Sequence, residues 1–398
     1  MEKRKSFYKG VLCGAFAILA IIALLGIIIY LFSFSESEKV INYKTESKIE
    51  LIEKMIEGTY LYGDEIDTEV LRESLVKGYV DGLGDPYTVY YDKEETQSLL
   101  ESTTGEFGGI GVGISQNIET GVITLTTIYD NSPGEKAGLK SGDVVYKVNG
   151  EDIAGLDLDS VVSLIRGEKG TTVDITVLRG ENREEFSTTV TRDVIEVETV
   201  FYEMKTVSAG TAEKKIGYVA VSGFEKVTAH QFIEALEELQ KQKIEGLIID
   251  LRNNPGGNMS TVCEMLDYIL PEGTIVYTED KYGKRDTMTS DDEHQLNLPM
   301  AVLINGNSAS ASEIFAGAIQ DYDMGVLVGT TTFGKGIVQN LYPMSDGTCL
   351  KVTTSEYFTP NGRNIHGTGI DPDIKIEYIY DEKNPDADNQ LEAALEYF

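Results

Sequence analysis

From Lys215 onward the chain alternates short apolar runs with amphipathic helical stretches, and that alternation restricts this region to an α/β fold with a largely parallel sheet. Ile216 to Val221 reads as a strand and Thr228 to Gln240 as a helix. Gly246-Leu-Ile-Ile-Asp-Leu251 reads as a buried strand running into Arg252-Asn-Asn-Pro-Gly-Gly257, and a second helix reaches Leu270. Met300-Ala-Val-Leu-Ile304 is a further strand, Ser312 to Asp321 a helix, and Gly325-Val-Leu-Val-Gly329 the strand after it.

Two segments at the ends of these runs carry candidate chemistry. Asn305-Gly-Asn-Ser-Ala-Ser-Ala-Ser-Glu313 occupies a strand-to-helix turn, where a nucleophile is held rigid and exposed. Phe333-Gly-Lys-Gly-Ile-Val-Gln339 follows the next strand, and its glycines let a partner approach Lys335 closely. Serine becomes a nucleophile when a base removes its proton, and a neutral amine does so. Lysine ordinarily titrates near ~10.4, so burial must lower that value before it can act. Read alone, Ser310-Ala-Ser-Glu313 also fits a helix capping box.

Two competing site types find less support. Gly329-Thr-Thr-Thr-Phe-Gly-Lys335 nearly spells a phosphate-binding loop, but Gly336 stands where Ser or Thr would hold Mg²⁺. The chain has three histidines, His230, His294 and His366, and none sits in a recognisable triad segment.

A net charge of -32 opposes nonspecific nucleic-acid binding. Only the first ten residues run against it, with Lys3, Arg4, Lys5 and Lys9. They precede Gly10 to Ser35, a stretch without charge and long enough to span the ~30 Å hydrocarbon core. This predicts a transmembrane anchor over 10–35, a cytoplasmic tail over 1–9 and an extracytoplasmic remainder. A cleaved signal peptide is the alternative, but no Ala-x-Ala site follows the run. Cys263 and Cys349 read as buried small apolar residues, with a disulfide between them left open.

Residues 36–100 read as a stalk and a helical region, with helices at Lys48 to Ile56 and Thr68 to Leu83, stopped by Gly82-Leu-Gly-Asp-Pro86. Residues 101–191 change to short strands and glycine turns. Gly108-Gly-Ile-Gly-Val-Gly-Ile114, Ser132-Pro-Gly-Glu-Lys-Ala-Gly-Leu139 and Gly142-Asp-Val-Val-Tyr-Lys-Val-Asn-Gly150 occur in the order of a PDZ domain, which this region resembles. The resemblance implies capture of a C-terminal carboxylate by the loop Gly109, Ile110, Gly111 and Val112, with the peptide adding as a strand. Arg166, at the end of the domain's helix, reads as a solvated surface charge; the alternative is a fork donor that docks on an acidic partner surface and couples the domain to whatever follows.

Asp250 to Gly257, Ser308-Ala-Ser-Ala-Ser-Glu-Ile314, Phe333 to Gln339, Tyr357-Phe-Thr-Pro-Asn-Gly-Arg363 and Gly369-Ile-Asp-Pro-Asp373 together resemble the carboxy-terminal processing peptidases, or tail-specific proteases. That resemblance implies Ser310 as nucleophile, Lys335 as base and Gln339 as the residue orienting the lysine. It also implies a crotonase-like core of ββα repeats over 192–380, with the PDZ domain inserted ahead of it. The backbone N–H groups of Ala311 and of Gly257 or Gly256 are the candidate oxyanion donors, Gly257 preferred, and Asp250 and Arg252 brace that loop.

The expected enzyme is a membrane-anchored serine endopeptidase acting through an acyl-enzyme on proteins with free C-termini, without cofactor, metal, nucleotide or nucleic acid. The PDZ domain either delivers substrate or gates the site; a silent PDZ adaptor is the rival from another class. The tail over 381–398 reads as a solvated acidic linker, Asp381 to Asp388, followed by an apolar end, Leu391 to Phe398, that offers a homodimer contact together with the N-terminal helices.

Overall fold

The computed structural model describes residues 39–209, 212–291 and 293–398. The expected anchor, Gly10 to Ser35, lies outside the described residues, and among the described residues no helix is long and apolar enough to cross a membrane. The chain divides into two units, residues 1–75 and 76–398. In the first, α1 (Tyr43–Thr59) starts from Asn42, whose side chain accepts the N–H groups of Lys44 and Thr45. No residue of α1 is buried. Helix α2 (Thr68–Asp81) follows.

Past the glycine stop, the Asp85 carboxylate accepts the Tyr87 N–H and the Thr88 hydroxyl, and β1 (Val89–Tyr91) follows. This corrects the expectation of helix alone before residue 100. A strand of three residues is too short to show a period, and β1 exists because β18 (Cys349–Phe358) pairs with it. Helix α3 (Lys93–Thr104) opens with a reciprocal capping box between Asp92 and Glu95 and closes at Gly105.

The next strands are β2 (Glu106–Gly109), β3 (Val112–Gln116) and β4 (Ile123–Ile128), then the short α4 (Pro133–Lys136). They continue through β5 (Val144–Val148), β6 (Glu151–Asp152), α5 (Leu158–Ile165), β7 (Thr172–Arg179), β8 (Glu184–Thr191) and β9 (Asp193–Glu196). The sheet runs β3-β4-β5-β7-β8, which leaves β3 at an edge, while β2 pairs with β9. Ile123, Leu125, Val145, Val173 and Val177 pack with Val161 and Ile165 of α5 as its core. The Gly-Asp step is held by Asp143, which takes Arg179 at 2.6 Å while Arg179 also donates to the Gly138 carbonyl of the Ala-Gly-Leu turn. Burial pushes the Asp143 carboxyl up, but its bonds to Arg179 and the Lys140 N–H outweigh this and leave it below the usual range.

The remaining chain forms β10 (Val200–Ala209), β11 (Ala212–Val221), α6 (Lys226–Lys241), β12 (Gly246–Asp250) and α7 (Met259–Asp267). After them come β13 (Gly273–Asp280), β14 (Arg285–Ser290), β15 (Met300–Ile304), α8 (Ala311–Asp321), β16 (Gly325–Gly329) and β17 (Ile337–Pro343). Strand β18, then β19 (Ile374–Lys375) and α9 (Asn389–Leu395), complete it. One sheet runs β10-β11-β12-β15-β16-β19, parallel from β11 onward. Because side chains alternate across a strand, Leu247, Ile249, Val302 and Ile304 face the core built with α6, α7 and α8. Ile248, Ala301, Leu303 and Val328 face the opposite side, where Leu391, Ala394 and Phe398 cover them. Both faces are buried, which is why these strands read as unbroken apolar runs.

The apolar tail is therefore a layer of its own chain's sheet. Asp388 is no part of a solvated linker, since it pairs with Arg252 at 2.7 Å. A second sheet, β1-β18-β13-β14 with β17 on β18, is antiparallel throughout. Cys263 and Cys349 are free and buried, and burial pushes the Cys263 thiol up to about 12.

Candidate active site

In a parallel sheet the loops at the carboxyl ends of adjacent strands share one crevice. Here β12 leads to Pro255-Gly-Gly257, β15 to Ser310 and β16 to Lys335, and all three loops line one cavity of about 430 Å³. Ser310, Lys335, Gln339, Gly257 and Ala311, predicted from separate segments, meet in it.

The serine run is sorted by burial. Ser308 is fully buried and donates to the Leu251 carbonyl at 2.7 Å; Ser312 is fully buried and donates to the Asn254 carbonyl at 2.9 Å. Ser310, half-buried, faces the cavity. Its backbone sits at φ 55°, ψ −113°, a region that costs a non-glycine residue about 1–3 kcal/mol. Several bonds hold it there: Tyr357 donates to the Ser310 carbonyl at 3.1 Å, and the Ser310 N–H donates to the Glu313 carboxylate at 2.9 Å.

Sequence reasoning gave Glu313 only the capping role, and that is half of what it does. Its fully buried carboxylate also accepts the Lys335 N–H at 2.9 Å, the Gly334 N–H at 2.7 Å and the Thr332 hydroxyl at 2.6 Å. One side chain thus ties the serine turn to the lysine loop. The same bonds occupy amides that a phosphate-binding loop would offer to an anion. The missed signal was an acidic side chain inside an otherwise small-residue helix start.

Asn254, also fully buried, organises the glycine turn. Its Nδ2 donates to the Val221 carbonyl at 2.8 Å, and its Oδ1 accepts the Gly256 N–H at 2.9 Å. Gly256 has φ +103°, and a Cβ there would stand 2.8 Å from the Ser310 Cβ and 2.7 Å from the Ala309 carbonyl oxygen. Among the described residues the N–H groups of Gly257 and Ala311 have no acceptor. The Gly256 donor is engaged, so Gly257 keeps the free amide.

Lys335 is half-buried, with its Nζ 4.7 Å from the Tyr87 ring centroid. Burial and the nearby Lys351 charge lower its pKa below the ordinary lysine value, against the opposing pull of Glu313 and Asp85. Among the described residues its Nζ has no hydrogen-bond partner. The Gln339 Nε2 donates to Thr353 Oγ1 at 3.3 Å, not to the lysine. Tyr87, Asp85 and Lys351 are absent from the expected site: Asp85 reads only as part of the Gly82 to Pro86 helix stop, and the other two lie in segments without a motif.

Arg252 braces its loop as expected, donating to Asp250 at 2.6 Å and to Asp388 at 2.7 Å, with the Tyr218 hydroxyl on Asp250 at 2.8 Å. The three histidines are exposed and none lines the cavity; His230 lies 3.6 Å from Glu234 and His294 stacks on Tyr268.

In the glycine loop ahead of β3, the Gly109 segment pairs with β9, and Ile110 is 2% exposed in the core. Gly111 has φ +68°, and Val112 starts the edge strand. The Ile110 and Gly111 carbonyls accept the Gly134 and Tyr129 N–H groups at 2.7 and 3.1 Å. Among the described residues the N–H groups of Ile110 and Gly111 have no acceptor. Arg166 reaches Glu101 of α3 at 3.1 Å and lies over Phe107. Helix α3 also supplies Leu99, Ser102 and Thr103 to the cavity wall, so it touches both regions.

An α/β sheet with a serine and an amine at its carboxyl edge, next to an antiparallel module with an open edge strand, defines the class: a peptidase carrying a peptide-recognition domain. Residues 215–376 match the model for Peptidase family S41, and residues 124–179 match that for a PDZ domain. The carboxy-terminal processing protease CtpB of Bacillus subtilis is 38% identical over 335 residues, covering 84% of this chain and 68% of the relative. The carboxyl-terminal-processing protease of Synechocystis is 34% identical over 317 residues, covering 79% of this chain and 74% of that one. A solved photosystem II D1 C-terminal processing protease aligns with a TM-score of 0.48 at 28% identity, covering 81% of this chain and 88% of that chain. The chain belongs to peptidase family S41, among the carboxy-terminal processing serine proteases that carry a PDZ domain.

Proposed function

We propose that the protein is a membrane-anchored, extracytoplasmic protease in which Ser310 and Lys335 form a catalytic dyad on a crotonase-like core. The neutral Lys335 amine takes the Ser310 hydroxyl proton as Oγ attacks the substrate carbonyl carbon. The resulting oxyanion is met by the N–H groups of Ala311 and Gly257. Collapse breaks the peptide C–N bond, the Lys335 ammonium returns its proton to the leaving amine, and an acyl ester remains on Ser310. Lys335 then deprotonates a water that attacks the ester, releasing the new carboxyl terminus and restoring the serine. Gln339, its Nε2 placed on Thr353, keeps its carbonyl oxygen for the Lys335 ammonium.

The observation that carries this function is the convergence of the half-buried Ser310, the lowered lysine and two unclaimed amides in one cavity. The free amides of the Ile110–Gly111 turn beside edge strand β3 support capture of a substrate's C-terminal tail. The uncharged stretch Gly10 to Ser35 behind four basic residues supports the anchor. Cleavage of an unstructured protein with an apolar C-terminus is the test. Activity in the wild type that is lost in Ser310→Ala and in Lys335→Ala supports the dyad; activity retained by Lys335→Ala refutes it.

A second reading makes the PDZ domain a gate, favoured by the Arg166 contact with Glu101 on the helix that walls the cavity. A noncleavable tail peptide that accelerates cleavage of a separate short substrate supports gating. Simple competition removes it.

A further inference from the structure

We propose that Lys351 is a positioning residue, a second cation on the wall of the cavity that holds Lys335, acting on catalysis through the base and not through substrate. This rests on the dyad proposed above. Lys351 lies on β18, which pairs along its length with β17, the strand that follows Lys335, and both lysines line the same cavity. Each is seated on an aromatic ring delivered by β1 or the residues just before it. Lys335 Nζ is 4.7 Å from the Tyr87 centroid, and Lys351 Nζ is 5.1 Å from that of Tyr91.

Lys351 is held more tightly than a solvated lysine needs to be. Its Nζ donates to the Tyr91 hydroxyl at 2.7 Å, and Val89 of the same strand is its backbone partner in the sheet. Among the described residues neither side-chain amine pairs with a carboxylate. The charged groups facing Lys335 are Lys351 from β18, Glu313 from α8 and Asp85 from the turn before β1, with the Tyr87 ring against it. The two carboxylates favour the protonated amine, and the Glu313 charge is shared among four donors. Lys351 is the one group in this set whose charge opposes protonation. A like charge beside a lysine base activates it by making proton uptake unfavourable. Burial lowers Lys335 first, and fixing β1 against β18 adds the Lys351 charge to that effect, a role that neither serine nor lysine motif announces.

The test measures kcat/KM against pH for the full chain, using an unstructured peptide substrate without acidic residues. In Lys351→Met the acid limb of the profile moves to higher pH by about one unit. This makes kcat/KM about tenfold lower on the acid side, converging with the wild type above the limb and leaving KM unchanged. Lys351→Arg keeps the limb in place, and Tyr91→Phe moves it by less, in the same direction. A limb that stays put in Lys351→Met overturns the proposal. So does a change in KM confined to substrates with acidic side chains, which would make Lys351 a substrate-binding group. If Lys351→Met does not fold, Tyr91→Phe decides, and an unmoved limb there overturns it. Lys335→Ala separates the two levels: if it stays active the dyad itself falls, and if it is dead while the Lys351→Met limb is unmoved, only this proposal falls.

Discussion

The serine corner and the glycine loop ahead of β3 both present backbone amides without an acceptor among the described residues, yet they are held by opposite means. The corner is fixed by fully buried polar side chains: Asn254, Ser308, Ser312 and Glu313. The glycine loop is held by backbone bonds, from Gly134 to Ile110 and from Tyr129 to Gly111, beside a strand with an open edge. Bond-making chemistry requires positions held within about half an ångström, and a satisfied buried network supplies that rigidity. Tail recognition by strand addition needs only an edge and a turn, and tolerates varied sequences.

The sharpest way to break this contrast is Glu313→Ala. It strips the acceptor from the Ser310, Gly334 and Lys335 N–H groups and from the Thr332 hydroxyl, each loss worth about 1–3 kcal/mol when buried. Cleavage should fall by at least ~10²-fold, with a clear drop in Tm, while tail binding by the PDZ domain persists. Deleting residues 389–398 uncovers Ile248, Leu303 and Val328 and should cost about 1.5–3 kcal/mol for each large side chain removed or exposed, read by urea denaturation. Tail affinity lost in step with that unfolding would show that the two regions are not independently held.

Gly256→Ala is a finer probe, because its Cβ would press on the Ser310 Cβ. The expected result is a fall in kcat of about 10²-fold with tail affinity unchanged. Titration separates the regions without mutation. The proposed dyad requires the neutral Lys335, so it predicts that kcat/KM falls as pH drops through a pKa that burial and Lys351 hold below 10.5. The tail binding proposed for the Ile110–Gly111 amides should stay flat over the same range. The smallest effect is expected for Gly111→Ala, whose Cβ would meet the Ser132 Cβ at 2.4 Å. It should weaken tail binding by about tenfold, while cleavage of a short peptide stays at the wild-type rate.

Much of the parallel sheet was legible, because strands buried on both faces leave unbroken apolar runs. The runs at Met300–Ile304 and Gly325–Gly329 became β15 and β16 with the same bounds, and the helix from Ser312 begins one residue earlier, at Ala311. The antiparallel sheet was not legible: β17 and β18 are mostly half-exposed and show no clean alternation. The candidate site divides in the same way. Ser310, Lys335 and the Pro-Gly-Gly turn belong to compact motifs, whereas Tyr87 and Lys351 enter through the pairing of β1 with β18 across more than half the chain. Glu313 was visible but looked like an ordinary cap, since its bonds to the lysine loop depend on β15 and β16 lying side by side.

The most direct test of the central claim is to quench the full chain in acid during turnover of an unstructured substrate and read its intact mass and peptide map. The dyad predicts an adduct with the mass of the amino-terminal product less one water, located on Ser310, present in the wild type and absent from Lys335→Ala. An adduct on another residue, or one that forms at the wild-type rate in Lys335→Ala, would contradict it.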